Sequence, residues 1–242
     1  MHSALIFAAG LGTRLRPITD TMPKALVPVD GKPLIQLQLE KLRAAGFTRV
    51  VVNVHHFADM LENWCREHPM GMDISFSDER AMLLDTGGGV RHARPLLTGC
   101  DRFLLHNVDI LSNLDLTAFF HRGTRGMAML AVSSRSTQRY LLFDDDMRLV
   151  GWTNKATREV RSPYPDLNPS SCHQYAFAGI HQMSTQLFPL FDEWPEKFSI
   201  IDFYLKICAQ YPIYGLHVPG LRLLDVGKLS SLEDATVFLR TM

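Results

Sequence analysis

Short apolar runs alternate along this chain with longer stretches whose apolar residues recur at helical spacing, and that alternation constrains the fold more than any other feature of the sequence. It is the signature of βαβ units, which build a mainly parallel sheet with helices on both faces. Ala4 to Ala8 predicts the first strand and Arg49 to Val54 the second. Between them Pro33 fits the first turn of a helix that turns Leu34, Leu37 and Leu42 inward, ends at Ala45 and takes a left-handed cap from Gly46. Phe57, Met60, Leu61 and Trp64 predict the next helix and Ile74 with Phe76 a short strand. A helix from Val90 to Leu97 and a buried strand from Phe103 to Ile110 continue the pattern, followed by a helix from Leu116 to Phe120 and a strand from Met127 to Val132.

Beyond that point the character changes. Leu141 to Phe143 and Leu149 to Trp152, joined through Asp144, Asp145 and Asp146, predict an antiparallel hairpin whose acids form a solvated turn. Residues 153–174 hold three prolines and predict a long loop ahead of a strand from Tyr175 to Ile180. Helices at Ile200 to Ala209 and Leu229 to Leu239 flank strands at Ile213 to Val218 and Leu223 to Val226.

Composition narrows the partners. The 25 lysines and arginines balance 25 acids, so no overall field draws the chain to nucleic acid or to an anionic membrane, and any phosphate binding must be local. Cys65, Cys100, Cys172 and Cys208 are scattered without paired spacing, which argues against structural zinc and a disulfide framework. The apolar stretch Ala4 to Ala9 has no basic residue before it and a glycine loop directly after it, unlike a signal peptide, and no run reaches membrane-spanning length. A cytoplasmic address is expected.

The first strand runs into Ala9-Gly10-Leu11-Gly12-Thr13-Arg14-Leu15-Arg16-Pro17, at the edge where an open α/β sheet binds ligands. Glycines there let backbone N–H groups approach phosphate oxygens. The loop is neither of two common phosphate loops. A dinucleotide fingerprint needs a third glycine where Leu15 stands and an acid at the end of strand two, where Asn53 and His55 stand. A P-loop needs Gly-Lys-Ser/Thr at a distance from Gly10 where this chain has Leu15. Arg14, Arg16 and Lys24 follow in one proline-punctuated loop, and three cations beside a glycine turn suit a triphosphate.

Two aspartates end apolar runs: Asp109 and Asp225. A charge there either caps the following turn or works at the ligand-binding edge of the sheet, where two carboxylates with substrate phosphates can hold magnesium. His55 and His56 are adjacent, hence on opposite faces of a strand, and make a poor joint ligand pair.

The stretch Leu11-Gly12-Thr13-Arg14-Leu15-Arg16-Pro17 followed by Pro23-Lys24-Ala25-Leu26-Val27-Pro28 resembles the signature of the sugar-phosphate nucleotidyltransferase family. The resemblance continues in Gly31-Lys32-Pro33-Leu34-Ile35, Asp85-Thr86-Gly87-Gly88-Gly89, Asn107-Val108-Asp109 and Leu224-Asp225-Val226-Gly227. Within the family the chain looks most like the N-acetylmuramate 1-phosphate uridylyltransferases of cell-wall recycling, with mannose 1-phosphate guanylyltransferases close behind.

The resemblance implies a Rossmann-like α/β fold of the nucleotide-diphospho-sugar transferase type in one domain, with residues 1–134 a nucleotide-binding core and 135–242 a small antiparallel acceptor-side lobe plus the C-terminal helices. It implies transfer of a nucleoside monophosphate from a triphosphate to a sugar 1-phosphate, with Mg2+ on Asp109 and Asp225 and charge neutralised by Arg14 and Lys24. Ala8, Ala9, Gly10, Gly12, Thr13 and a turn at Gly87, Gly88 and Gly89 are the expected nucleotide contacts; Asn107, Lys155 and Gly179 are the expected sugar-phosphate contacts. Val108 departs from the glycine that relatives carry there and is expected to narrow the sugar pocket or shift Asp109. Other readings are phosphocholine as acceptor, with Trp152, Tyr164 and Tyr175 as a cage, and a non-catalytic nucleotide-sugar-binding regulator. A monomer and a homodimer are equally compatible with the sequence.

Overall fold

The computed structural model describes residues 2–241. In chain order the first half holds β1 (His2–Phe7), β2 (Pro28–Val29), β3 (Lys32–Pro33), α1 (Leu34–Ala44), β4 (Phe47–Val54), α2 (Ala58–Glu67), β5 (Asp73–Asp78), α3 (Asp85–Ala93), β6 (Arg102–Asn107), β7 (Ile110–Ser112) and α4 (Leu116–Arg122). The second holds β8 (Ala128–Ser133), β9 (Arg139–Phe143), β10 (Leu149–Asn154), β11 (Glu159–Arg161), β12 (His173–Ser184), α5 (Ile200–Ile207), β13 (Ile213–His217), β14 (Leu223–Asp225) and α6 (Ser231–Arg240). The main sheet runs β11-β10-β9-β12-β6-β1-β4-β5, and β8 pairs with β12 and with β13.

The expected α/β architecture is present. β1 is parallel to β4 and β6, and β4 to β5, while β12 enters antiparallel beside β6. Side chains of a strand alternate between faces, so β1 feeds two cores. Ala4 and Ile6 join Leu34, Leu39 and Val52 on one side; Leu5 joins Val51, Phe103, Val90 and Phe203 on the other. A strand covered on both faces must be apolar throughout, which is why Ala4 to Ile6 reads as an uninterrupted run. Gly46 follows α1 at φ +82°, the left-handed cap its position predicts.

Four local expectations change. Pro33 lies in the short β3 and caps α1 instead of opening its first turn. The strand expected over 103–110 breaks after Asn107, and the chain resumes as β7, which pairs with β14. The 153–174 segment is partly ordered by β11, which extends the hairpin through Trp152 opposite Arg161. Gly87, Gly88 and Gly89 lie inside α3, not in a turn. A Cβ on Gly87 would sit 2.3 Å from the Phe198 ring and one on Gly88 2.3 Å from the Glu196 carbonyl oxygen, so these glycines let the 196–198 segment lie against the helix.

β12 bends where its register with β8 shifts between Phe177 and His181, and Gly179 sits in that shift at φ +72°. One edge of β12 thereby serves β9 along His173–Tyr175 and β8 further on, while the other edge serves β6. The four cysteines are unpaired. Among the described residues no helix is long and apolar enough to cross a membrane.

Candidate active site

Two clefts meet at Asn107, which lines both. The smaller, of about 350 Å³, opens at the carboxyl end of β1, where Ala8, Ala9 and Gly10 line it with Lys24, Val108 and Asp109. The larger, of about 580 Å³, lies over β9, β10 and β11 and takes in Gly179 and Asp225.

A buried polar chain builds the floor of the smaller cleft. The Asn53 amide oxygen accepts from the backbone N–H groups of Ala8 at 2.6 Å and Ala9 at 3.1 Å, and its nitrogen donates to Glu79 Oε1 at 2.7 Å. The other Glu79 oxygen accepts from the Leu84 N–H at 3.1 Å. Burial holds the Glu79 carboxyl above its ordinary pKa. Asn53 and Glu79 were not among the predicted site residues, and the amides of Ala8 and Ala9 are directed to Asn53 rather than left for a ligand. Asn53 stands where the dinucleotide fingerprint wants an acid; an amide there can donate and accept at once, and that was its only signal in the sequence.

The glycine loop is fixed by contact as well as by backbone freedom. Gly12 has φ +63°, and a Cβ there would lie 2.9 Å from Thr19 Cγ2 and 3.1 Å from Lys24 Cβ. Its carbonyl accepts from Leu15 N at 2.8 Å and Thr19 Oγ1 at 2.9 Å. The turn therefore delivers Lys24 into the cleft, where its ammonium donates to the Asp109 carboxylate. Thr13 and Arg14 are exposed on the same loop. Arg14 and Arg16 line neither cleft; Arg16 pairs with Asp20 at 3.2 Å on the surface and leaves the cation trio, whereas Arg14 stays beside Gly227 and Asp225.

Asp109 and Asp225 come together through their backbones. β14 pairs antiparallel with β7, setting Asp225 opposite Ile110, and the Val226 N–H donates to the Asp109 carbonyl at 2.8 Å. Gly227 completes the junction: a Cβ there would lie 2.6 Å from Asp225 Oδ1 and 2.7 Å from Arg14 Nη2. Two carboxylates are a donor set suited to magnesium, which takes one or two of them with substrate phosphates. Among the described residues no group of three or more His, Cys, Asp or Glu side chains could hold a metal, so any further oxygen ligands would come from substrate or water.

Val108 is buried and lines the smaller cleft, not the larger one. Its N–H donates to the Phe7 carbonyl at 3.1 Å and its own carbonyl accepts from Gln38 at 3.2 Å, which holds the backbone ahead of Asp109. Asn107 packs against the bend of β12, where a Cβ on Gly179 would lie 2.9 Å from its Nδ2. Two other expectations do not fit. Gly87 and Gly88 donate to the Phe198 carbonyl at 2.8 and 3.2 Å and line neither cleft; Asp85 and Thr86, just before them, line the smaller one. Lys155 is exposed with its ammonium 4.6 Å from the Tyr140 ring centroid, and the cations lining the larger cleft are Arg135, Arg139 and Arg161.

Residues 3–140 match the model of the nucleotidyl transferase family. The chain belongs to that family. It is 45% identical over 118 residues to an N-acetylmuramate alpha-1-phosphate uridylyltransferase of Neisseria meningitidis serogroup B, covering 48% of this chain and 51% of the relative. It is 50% identical over 97 residues to a protein of the same name from Caulobacter vibrioides, covering 39% of this chain and 40% of the relative. The chain thus spans about half the length, or less, of these curated relatives. A crystal structure of a putative glucose-1-phosphate thymidylyltransferase from Bacillus anthracis superposes with a TM-score of 0.81 at 18% identity, covering 100% of this chain and 96% of that one. At that identity the likeness shows the nucleotidyl transferase fold.

The family match ends at Arg139–Tyr140, in β9, so it takes in the glycine loop, Lys24 and Asp109 but not Asp225 or the wall formed by β10 and β11.

Proposed function

We propose that the chain transfers a nucleoside monophosphate from a nucleoside triphosphate to a sugar 1-phosphate and releases pyrophosphate, with uridine triphosphate and N-acetylmuramate 1-phosphate as substrates. The observation that supports this reading is the Lys24–Asp109 pair in the smaller cleft, whose Asp109 backbone is bonded to Val226 next to Asp225 of the larger cleft, with Arg14 beside Gly227. The choice of uridine and N-acetylmuramate rests on the two bacterial relatives, and with it come a place in cell-wall recycling and work in the cytoplasm, where nucleoside triphosphates are found.

A phosphate oxygen of the acceptor attacks the α-phosphorus; the new P–O bond forms as the bond to the bridging oxygen breaks, and pyrophosphate leaves with the electron pair. The nucleophile is already anionic, so no general base is needed, and catalysis consists of aligning two anions and neutralising their charge. Lys24 and Arg14 supply that neutralisation from the glycine loop. Magnesium held by Asp109 and Asp225 would add Lewis-acid stabilisation of the phosphate oxygens. Gly10, Gly12 and Thr13 shape the phosphate loop, and Ala8 and Ala9 contribute through backbone other than the amides that Asn53 occupies. Asn107 and Gly179 border the acceptor phosphate. In this reading residues 1–134 hold the nucleotide and 135–242 the acceptor, with Lys197 lining the smaller cleft and Asn107 and Ile110 the larger across that division.

A panel of the four nucleoside triphosphates against N-acetylmuramate, mannose and glucose 1-phosphates and phosphocholine, read by pyrophosphate release, tests the proposal. The uridine triphosphate and N-acetylmuramate 1-phosphate pair is expected to be fastest. Release from no pair overturns the reaction, and faster turnover of guanosine triphosphate with mannose 1-phosphate overturns the substrate choice.

A further inference from the structure

The floor of the larger cleft is a ladder across three strands. In register, Leu141, Trp152 and Arg161 form one row and Arg139, Asn154 and Glu159 the next, and all six line the cleft. The rows differ in what they offer. The Arg161 guanidinium covers the Trp152 ring, 4.0 Å from its centroid, and is neutralised by Asp202, with Glu159 Oε1 3.6 Å from its Nε. Its charge is already answered by protein.

Arg139 and Arg135 are different. Among the described residues neither has a carboxylate within salt-bridge distance; Arg135 donates only to the Phe177 carbonyl, at 3.2 Å. In a chain of zero formal net charge, two uncompensated guanidinium groups on one cleft wall are a local surplus of positive charge. The acceptor's phosphate does not account for it. That phosphate must meet the nucleotide at the Asn107 end, on β6, whereas Arg139 begins β9 on the far side of β12. Two strand spacings, about 10 Å, separate those backbones, so a phosphate held at the Asn107 end leaves the wall at Arg139 to the sugar.

We infer that Arg139, with Arg135 beside it, recognises a carboxylate on the sugar, so that the acceptor class is an acidic sugar 1-phosphate with its second negative charge remote from the phosphate. A planar guanidinium fork matches a carboxylate in two parallel hydrogen bonds, and Asn154, opposite Arg139 on β10, adds amide donors to the same edge. The inference rests on the transferase reading above and narrows it: N-acetylmuramate differs from N-acetylglucosamine by an ether-linked lactyl group that ends in a carboxylate.

The test is the ratio of kcat/KM for N-acetylmuramate 1-phosphate to that for N-acetylglucosamine 1-phosphate, measured for the wild type, Arg139→Gln, Arg139→Lys and Arg135→Gln. The wild type is expected to favour the acid. Arg139→Gln lowers the ratio roughly tenfold to a hundredfold, as loss of a charged hydrogen bond does, Arg135→Gln lowers it less, and Arg139→Lys keeps part of it. A wild type that prefers the neutral sugar, or a ratio unmoved by both glutamine variants, overturns the carboxylate assignment and leaves the transferase reading standing. Turnover of neither sugar phosphate by the folded wild type overturns the carboxylate assignment, and overturns the transferase reading as well only when no other pair of the panel above is turned over.

Discussion

The Lys24 ammonium and the Asp109 carboxylate are each other's partner, with side chains only 11% and 15% exposed. The loop cation and the strand-end acid are therefore held in contact before either meets phosphate or metal. In the proposed reaction a triphosphate that takes Lys24 as its counterion would release Asp109, which would couple nucleotide and metal binding through one exchange of partners. Lys24→Ala is expected to lower turnover a hundredfold or more, the usual scale for losing a charge-stabilising donor. The same variant is expected to bind Mn2+ more tightly than wild type without nucleotide, read by electron paramagnetic resonance, because Asp109 has lost its competitor. Unchanged turnover or weaker Mn2+ binding contradicts this role.

Asn53 adds side-chain bonds to strand pairing that already aligns three segments, tying the backbone just beyond β1 and the Glu79 to Leu84 turn to the end of β4. Asn53→Ala strands two backbone N–H groups and a buried carboxylate, and unpaired buried groups cost about 1–3 kcal/mol each. A loss of about 3 kcal/mol in urea unfolding is expected, with weaker nucleotide binding. A stability within 0.5 kcal/mol of wild type, roughly the scatter of surface substitutions, contradicts the account.

Two glycine-to-alanine changes should separate site from scaffold. At Gly227 the added methyl meets Asp225 Oδ1 and Arg14 Nη2, both ends of side chains able to swing away, so the cost falls on turnover while the unfolding midpoint holds. At Gly87 the methyl meets the Phe198 ring and the Phe198 carbonyl oxygen at 2.9 Å, and overpacking of that kind costs about 1–3 kcal/mol. Thermal unfolding and pyrophosphate release on both variants check the contrast.

His106 and His181 are buried, and desolvation pushes each down to about 3 from 6.5. The folded pKa lies below the unfolded one, so the unfolded chain takes up protons first as pH falls. The stability this neutrality provides is complete above about pH 6.5 and is lost progressively toward pH 3, at up to about 1.4 kcal/mol per pH unit for each histidine. Urea unfolding at pH 7 and pH 5 should show the fall, and His181→Phe, which keeps an aromatic ring beside Phe7 and Tyr204, should flatten it. Equal slopes in both proteins contradict the assignment.

Much of this was legible in the sequence because single-residue signals and tertiary demands agree. A doubly covered strand must be apolar, a helix end at Gly46 needs a left-handed residue, and the loop glycine at Gly12 is required by both its φ and its contact with Lys24. What escaped depends on partners distant in the chain. The glycines of α3 look like a turn until Phe198 is set against them, 110 residues or so further on. Lys155, just past β10, looks like an acceptor contact until the pairing of β9, β10 and β11 shows Arg139 and Arg161 lining the cleft instead. Asn53 carries no motif at all; only the convergence of β1, β4 and Glu79 gives it a task.

The most direct test is pyrophosphate release from uridine triphosphate and N-acetylmuramate 1-phosphate by wild type, Asp109→Asn and Asp225→Asn in the presence of Mg2+. Release that needs both substrates and the metal, and that falls a hundredfold or more in each variant with folding intact, is the predicted result. Wild-type rates in both variants would contradict the claim that these two carboxylates and Lys24 form the reaction centre.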